Sequence, residues 1–598
     1  MKTRLLWSMV ASLCLLSCGD STSPQPTTDV PPPDTADAPD NAPPPTDLPP
    51  TDTDDPPLAM RPIPMKEVGN PTHIGTQPIR FTDVTDDVGL PDLLGEAVAF
   101  VDFDLDGWPD VLSVAAHELI LYRNLGGTFA PVNEWVFDGE HTILKKASNG
   151  VFADVDNDGD LDLYVASSSQ PDQLFLNQEG VWSPAPALWD VPPSLFVQGV
   201  HFADLNNNGW LDVYVTTGGS IHQMDAGTNV APGYAGNPNT LLRNNEGSGF
   251  TDITAAWNAL AGDTSETFGA LLVDFDRDGD SDALVVRDYL ADHYFRNDGT
   301  TLTDTSETAI DSLPTGLMGL AVGDYNGDGH LDVYGTNQNT DYLYQGKGDG
   351  TFTNVFGTAL QSPDPTLSKT GWGCAFIDMD NDGDQDVLSV AGYNRQEQGV
   401  DHFIPPRLGG YVALENTGNG HLTDITNEAG LTEVIHGLAL ATADFDLDGD
   451  LDAVAALGPP VDVGFGPKLF MVRQGARLLR NDSARAAGNH FLELSLRQPE
   501  DNRFAVGAII DVQSGTTRSS RVITAGDSYL SAHSFVQHFG LGFHTAAVVT
   551  IQWPNGLKQV AQKVPAGYHR LLPFDGSCCH PDSAQECDSL PTCPVWAP

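Results

Sequence analysis

The nonapeptide DFDLDGWPD at Asp102 to Asp110 returns six times along the chain, with Asn standing for some of the Asp. The copies are DVDNDGDLD (Asp154 to Asp162), DLNNNGWLD (Asp204 to Asp212), DFDRDGDSD (Asp274 to Asp282), DYNGDGHLD (Asp324 to Asp332), DMDNDGDQD (Asp378 to Asp386) and DFDLDGDLD (Asp444 to Asp452). Their starts lie 50 to 70 residues apart, a period long enough for one supersecondary unit per repeat.

The spacing has a chemical reason. Oxygen-bearing residues at positions one, three and five turn three side chains toward one centre, and Gly at position six permits the reversal that brings position nine back to it. Such a loop suits Ca²⁺, a hard cation that takes roughly six to eight oxygens. The expected ligands are Asp102, Asp104, Asp106 and Asp110, then Asp154, Asp156, Asp158 and Asp162, then Asp204, Asn206, Asn208 and Asp212. They continue with Asp274, Asp276, Asp278 and Asp282, then Asp324, Asn326, Asp328 and Asp332. Asp378, Asp380, Asp382 and Asp386, with Asp444, Asp446, Asp448 and Asp452, complete up to seven sites. Asn206, Asn208 and Asn326 lower the charge of the third and fifth loops, which are expected to bind most weakly. An EF-hand would need a Glu at position twelve, where this chain has Ser113, Val165, Val215, Val285, Gly335, Ser389 and Ala455.

Short β-branched runs flank each loop, as Ala97 to Val101 and Val111 to Val114 flank the first, so each loop is read as the turn of a hairpin. Downstream stands a second marker, as in LYRN (Leu121 to Asn124), LLRN (Leu241 to Asn244) and YFRN (Tyr294 to Asn297), followed by a strand such as FTDIT (Phe250 to Thr254). Four short strands per unit and seven units give an all-β, seven-bladed β-propeller. FTDVT (Phe81 to Thr85) precedes the first loop, so the ring is expected to close by pairing that strand with the seventh blade.

The loops and strands resemble the FG-GAP, or VCBS, repeats of integrin α-subunit propellers and bacterial surface proteins over residues 79–485, which implies calcium at the positions above. A second resemblance covers residues 486–574, with NHFLELSL (Asn489 to Leu496), GDSYLSAHSFVQHFGLG (Gly526 to Gly542) and VTIQWPNG (Val549 to Gly556). These look like the ASPIC/UnbV domain, a small β-rich module. A propeller followed by this domain is the arrangement of the cartilage acidic protein family and its bacterial relatives.

The ends of the chain read as an address and a staple. Residues 1–18 carry Lys2 and Arg4, an apolar run and the sequence LLSC, which resembles a lipobox whose Cys18 is acylated. Residues 19–78 are rich in Pro, Asp and Thr and read as an extended tether. The expected destination is the outer membrane or surface of a bacterium, with membrane contact only through the lipid. Cys578, Cys579, Cys587 and Cys593 crowd residues 575–598 and are expected to form two disulfides in an exported protein. A zinc site using His580 is the alternative.

The chain holds 82 Asp and Glu against 28 Lys and Arg, which argues against nucleic acid and anionic membrane surfaces as partners. No HExxH, GxSxG, Walker or Rossmann motif nominates an enzyme. His533 and His538, in the C-terminal segment, are read as structural. Long insertions at Ser220 to Thr240, Arg395 to Gly410 and Gly458 to Ala476 follow the second strand of their units, at the end opposite the acidic loops. Within them His222, Tyr234, Arg395, His402, Arg407, Phe465 and Lys468 are candidate ligand-binding residues. The resulting expectation is a non-catalytic adhesion or binding protein for a protein or glycan. An extracellular polysaccharide-acting enzyme and a structural subunit of an envelope complex stay open beside it.

Overall fold

The strand Ala97–Val101 pairs antiparallel with Asp110–Ala115 so that Val101 stands opposite Asp110, and the same register recurs in all seven units. Position nine of each acidic loop is thus the first residue of the second strand, opposite the residue that precedes position one: Ala153 faces Asp162, and Ala443 faces Asp452. In the computed structural model the described residues run from 78 to 573, apart from internal segments of which the longest are 219–237, 393–408 and 459–474. Cys18, the tether as far as residue 77, the four C-terminal cysteines and the candidate ligand residues His222, Tyr234, Arg395, His402, Arg407, Phe465 and Lys468 lie outside the described residues.

Each unit supplies an antiparallel sheet, and among the described residues there are seven such sheets before residue 482, six of four strands and the first of five, its extra strand coming from the C-terminal domain. The seventh takes its outer strand from the chain's beginning: Phe81–Asp83 pairs with Gly475–Asn481, Phe81 opposite Asn481. This closes the ring, as the FTDVT pattern led one to expect. Closure covers the edge of Gly475–Asn481 and leaves in its place an outer strand of only 3 residues, a short edge of the kind propellers tolerate.

First and second strands lack the alternation of a half-exposed sheet. AVAFV at Ala97–Val101 and DVYVTT at Asp212–Thr217 are buried at every position, because each sheet is covered on both faces by its neighbours. Apolar clusters fill those interfaces. Leu112, Val114, Phe152 and Leu163 join units one and two, Val98 and Phe100 meet Ala439 and Ala441 of unit seven, and five further clusters fill the remaining interfaces. The architecture is a β-propeller.

Residues 490–571 make a three-stranded sheet centred on His490–Leu496 and a four-stranded sheet centred on Ile509–Ser514 and Ala546–Gln552. Leu492, Leu494, Ile510, Val549 and Trp553 pack between them. This domain does more than follow the ring. The segment between Val522 and Gln537 enters the propeller and pairs with its innermost strands: Ser531–Ala532 lies parallel to Ala97–Val101, and Phe202 N–H donates to Ala525 O at 2.8 Å. Ser528 N–H donates to Leu320 O at 3.0 Å, while Cys374 N–H and Leu440 N–H donate to the hydroxyls of Ser528 and Ser531 at 2.8 and 3.1 Å. Tyr529 packs its ring on Trp372 and Phe268. The chain therefore fills its own central channel and satisfies inward-facing backbone groups there. Among the described residues no helix is long and apolar enough to cross a membrane.

Candidate metal centres and the filled channel

Two left-handed residues shape each acidic loop. Gly at position six has a φ between +85° and +104°, as at Gly209 and Gly383, where a side chain would be strained. Position four is also left-handed in every unit: Leu105, Asn157, Asn207, Arg277, Gly327, Asn381 and Leu447 have φ between 52° and 70°. Sequence reasoning missed this second reversal, although Asn or Gly at four of the seven positions is the usual signature of that conformation.

The position-one carboxylate accepts the Gly N–H of its own loop at 2.7–3.1 Å in all seven units. The position-nine carboxylate accepts the backbone N–H at the end of the marker strand at 2.7–3.0 Å, again in all seven. Position nine therefore ties the loop to the third strand as well as facing its centre. With these bonds in place, oxygens of Asp102, Asp104 and Asp110 lie within 4.8 Å of one another, as do those of Asp154, Asp156 and Asp162, of Asp378, Asp380 and Asp386, and of Asp444, Asp446 and Asp452. In unit four the converging set is Asp274, Asp276 and Asp278, because Asp282 turns an oxygen to the Tyr294 hydroxyl. The third and fifth loops form no such group of carboxylates among the described residues. In the third, the Asn206 amide donates to Asp212 at 3.2 Å.

These groups fit a cation. Asp102 Oδ1 and Asp154 Oδ1 are buried with no hydrogen-bond partner, an arrangement costly for a carboxylate unless a positive charge meets it. Burial first, and like charges second, push Asp102 and Asp154 up to about 7 and Asp104 up to about 6. Asp378 and Asp452 are raised well above the usual carboxylate range for the same two reasons. The marker strands temper the charge. Arg123 pairs with Asp104 and Asp106 at 2.6 and 3.1 Å, and Arg296 reaches Asp276 and Asp278. In unit six the equivalent residue is Glu415, whose carboxyl is raised by burial and by Asp380.

The marker Asn has a role that its local sequence does not reveal. Its amide donates to the position-two carbonyl of the preceding unit at 2.5–2.9 Å: Asn124 to Phe445, Asn244 to Val155, Asn297 to Leu205, Asn416 to Tyr325 and Asn481 to Met379. These buried bonds staple neighbouring acidic loops together around the ring.

The acidic-loop face carries the C-terminal domain. Asn502 N–H donates to Asn157 Oδ1 at 2.8 Å and Gly540 N–H to Asp378 Oδ2 at 2.9 Å. Arg277 binds Asp511 with two hydrogen bonds of 2.9 and 2.8 Å, so the left-handed position four is what the domain contacts in units two and four. In the channel, His201 donates from Nδ1 to Gly526 O at 2.6 Å and accepts Ala270 N–H at Nε2. Burial lowers its pKa to about 4, so it stands neutral between two units and the inserted segment. A cavity of about 50 Å³ remains, lined by Arg521, Thr524, Asp527, His533, Gln537 and His538 among others, room for a few waters.

Residues 498–572 match the family model of ASPIC and UnbV. Residues 102–165, 154–215, 274–335 and 324–389 match that of the FG-GAP-like repeat. Over 278 residues the chain is 26% identical to human cartilage acidic protein 1, covering 46% of this chain and 38% of the human protein. The Xenopus tropicalis protein of the same name is 24% identical over 267 residues, 44% of this chain and 37% of the relative. The match thus spans less than two-fifths of either relative. Among solved structures, an Agrocybe aegerita lectin that recognises non-reducing terminal N-acetylglucosamine has a TM-score of 0.38 and 16% identity, over 60% of this chain and 88% of the lectin. That likeness is too loose to bear on function.

Proposed function

We propose, for a chain that carries FG-GAP-like repeats and an ASPIC and UnbV domain, that it is a calcium-stabilised, non-catalytic binding protein held at a bacterial surface by a lipid on Cys18. The observation that carries the reading is the convergence of buried carboxylates in the acidic loops, with oxygens of Asp102 and Asp154 left unbonded. A cation supplies the missing positive charge, and oxygen-only donor sets suit calcium. Asp102, Asp104 and Asp110, with their counterparts in the other units, would hold it. The position-nine carboxylate would link the ion to the marker strand, and loss of calcium should loosen the whole ring.

Ligand recognition falls to the connections between second and third strands in units three, six and seven. A filled channel argues against an axial active site, and the C-terminal domain lies on the acidic-loop face. A protein or glycan is the partner class, with no role for nucleic acid.

Equilibrium dialysis of the exported protein should find several bound calcium ions, and chelator should lower its melting temperature. A melt indifferent to both calcium and chelator refutes the scaffold role. A glycan and surface-protein array, probed in calcium and in chelator, tests recognition, and variants in the three connections should lose any hit.

A further inference from the structure

The seventh acidic loop differs from the other six in what covers it. Asp448 at position five is buried, whereas Asp106, Asp158, Asn208, Asp278, Asp328 and Asp382 are exposed or half-exposed. Asp450 is buried too. The cover is the C-terminal domain's strand His490–Leu496. Phe491 lies over Gly449, where an added Cβ would stand 2.1 Å from its ring. Glu493, two residues on, shares that face of the strand. Its two ladder partners are His538 and Tyr568. Both reach the seventh loop, His538 through Gly449 O at 3.1 Å and Tyr568 through a hydroxyl donated to Asp444 Oδ2.

Glu493 is 4% exposed. No hydrogen bond or ion pair holds its carboxyl among the described residues, and the charged groups that press on it are Asp444 and Asp448, both of its own sign. Neither the repeat pattern nor the FG-GAP match, which ends at residue 389, points to this residue. Standing between two ladder partners that both reach the seventh loop, this buried, unpartnered carboxyl faces the loop, where it is either protonated or met by a cation.

We propose that Glu493 supplies a ligand oxygen from the C-terminal domain to the divalent cation held by Asp444, Asp446 and Asp452, so that the seventh site belongs to both domains and the ion ties them together. The proposal rests on the calcium reading above. It makes the seventh site the tightest and slowest to empty, since affinity grows with the number of charged ligands and the rigidity of the site.

The test is Glu493→Gln in the full chain, with calcium as the probe in titration calorimetry and thermal melting. In chelator the variant should melt higher than the parent, because the cost of burying an ionisable carboxyl is gone. In calcium it should gain less, and the tightest binding step should weaken about tenfold or more while the other steps stay. Equal calcium affinities and equal calcium-induced gains in parent and variant overturn the proposal and leave Glu493 a buried structural acid. Binding of no calcium by the parent would overturn the calcium reading itself, a separate result. A second measurement does not depend on that variant. Tb³⁺ bound to the parent should show an emission component excited through Tyr568, absent in Tyr568→Phe, that is the last to be lost to chelator. If the Tyr568-dependent component is absent, or is the first lost, the shared site is wrong.

Discussion

Removing calcium should invert the sign of the protein's pH dependence. Asp102, Asp154, Asp324 and Asp444 stand in four different loops, and in the ion-free fold burial, with like charges beside each, raises each to about 7 from an ordinary 3.8. Between those values the folded state carries a proton that the unfolded chain does not. Through these groups the ion-free protein gains stability as pH falls from about 7 toward 4, and their destabilisation is complete above pH 7. Each such proton changes stability by about 1.4 kcal/mol per pH unit. Three buried neutral histidines work the other way below about pH 6.5, because burial lowers His201 and His436 to about 4 and His538 to about 3, so the unfolded chain takes up their protons first. Between pH 7.5 and 6.5, where their share is small, one proton in each of the four loops gives a net gain of roughly 2 kcal/mol. With calcium bound the same carboxylates are ionised in the fold, so calcium's contribution is full at neutral pH and is lost on acidification as protons compete. Guanidinium unfolding followed by tryptophan fluorescence, at three pH values in chelator and in calcium, measures both slopes. A chelated protein that loses stability between pH 7.5 and 6.5, or two parallel slopes, would refute the reasoning.

Three further outcomes follow from particular contacts. Asn297→Ala removes the amide bonds to Leu205 O and Ser281 O and the acceptor for Gly299 N–H, and should cost about 2–3 kcal/mol in calcium; exposed Asn427→Ala, as a control in denaturant titration, should stay within about 0.5 kcal/mol. Gly526→Ala would place a Cβ 2.0 Å from Val200 O at a φ of +87°, so it should cost at least about 2 kcal/mol. It should also speed hydrogen exchange at Val98, Phe202 and Cys374, whose amides the inserted segment holds. Asn206→Asp with Asn208→Asp restores the full carboxylate set of the third loop and should raise its calcium affinity, read as one additional tight ion by equilibrium dialysis.

What the sequence disclosed was local. Position six needs Gly, the flanking runs are β-branched, and the outer strand Phe81–Asp83 repeats a motif seen later, so the hairpins and the closure were all readable. What it hid depends on partners far along the chain. Asn297 looks like a strand-end residue until Leu205 O, in another unit, stands 2.8 Å from its amide. Position four offered a partial signal in Asn157, Asn207, Gly327 and Asn381, which Leu105, Arg277 and Leu447 obscured. For the acidic sites, residue type pointed to the loops but not to which oxygens converge. Asp282 has the right spacing and faces Tyr294 instead.

The segment GDSYLSAHSF (Gly526 to Phe535) is the strongest case, because no periodicity within it announces that it fills a channel built by seven other segments. Its geometry nevertheless explains its composition. Gly526 sits where Val200 O and Val151 leave no room for a side chain, and the Ser528 and Ser531 hydroxyls meet inner-strand amides that have no ladder partner on that side. Tyr529 supplies the ring that Trp372 and Phe268 pack around. Ser528 and Leu530 adopt left-handed φ of 58° and 49°, a strain that persists only where surrounding contacts over-determine it. Those contacts come from the ring, so the inserted segment gains its shape from the propeller while the propeller gains its axial bonds from the segment. Neither part is complete alone. Ring and C-terminal domain should therefore unfold as one cooperative unit in calcium.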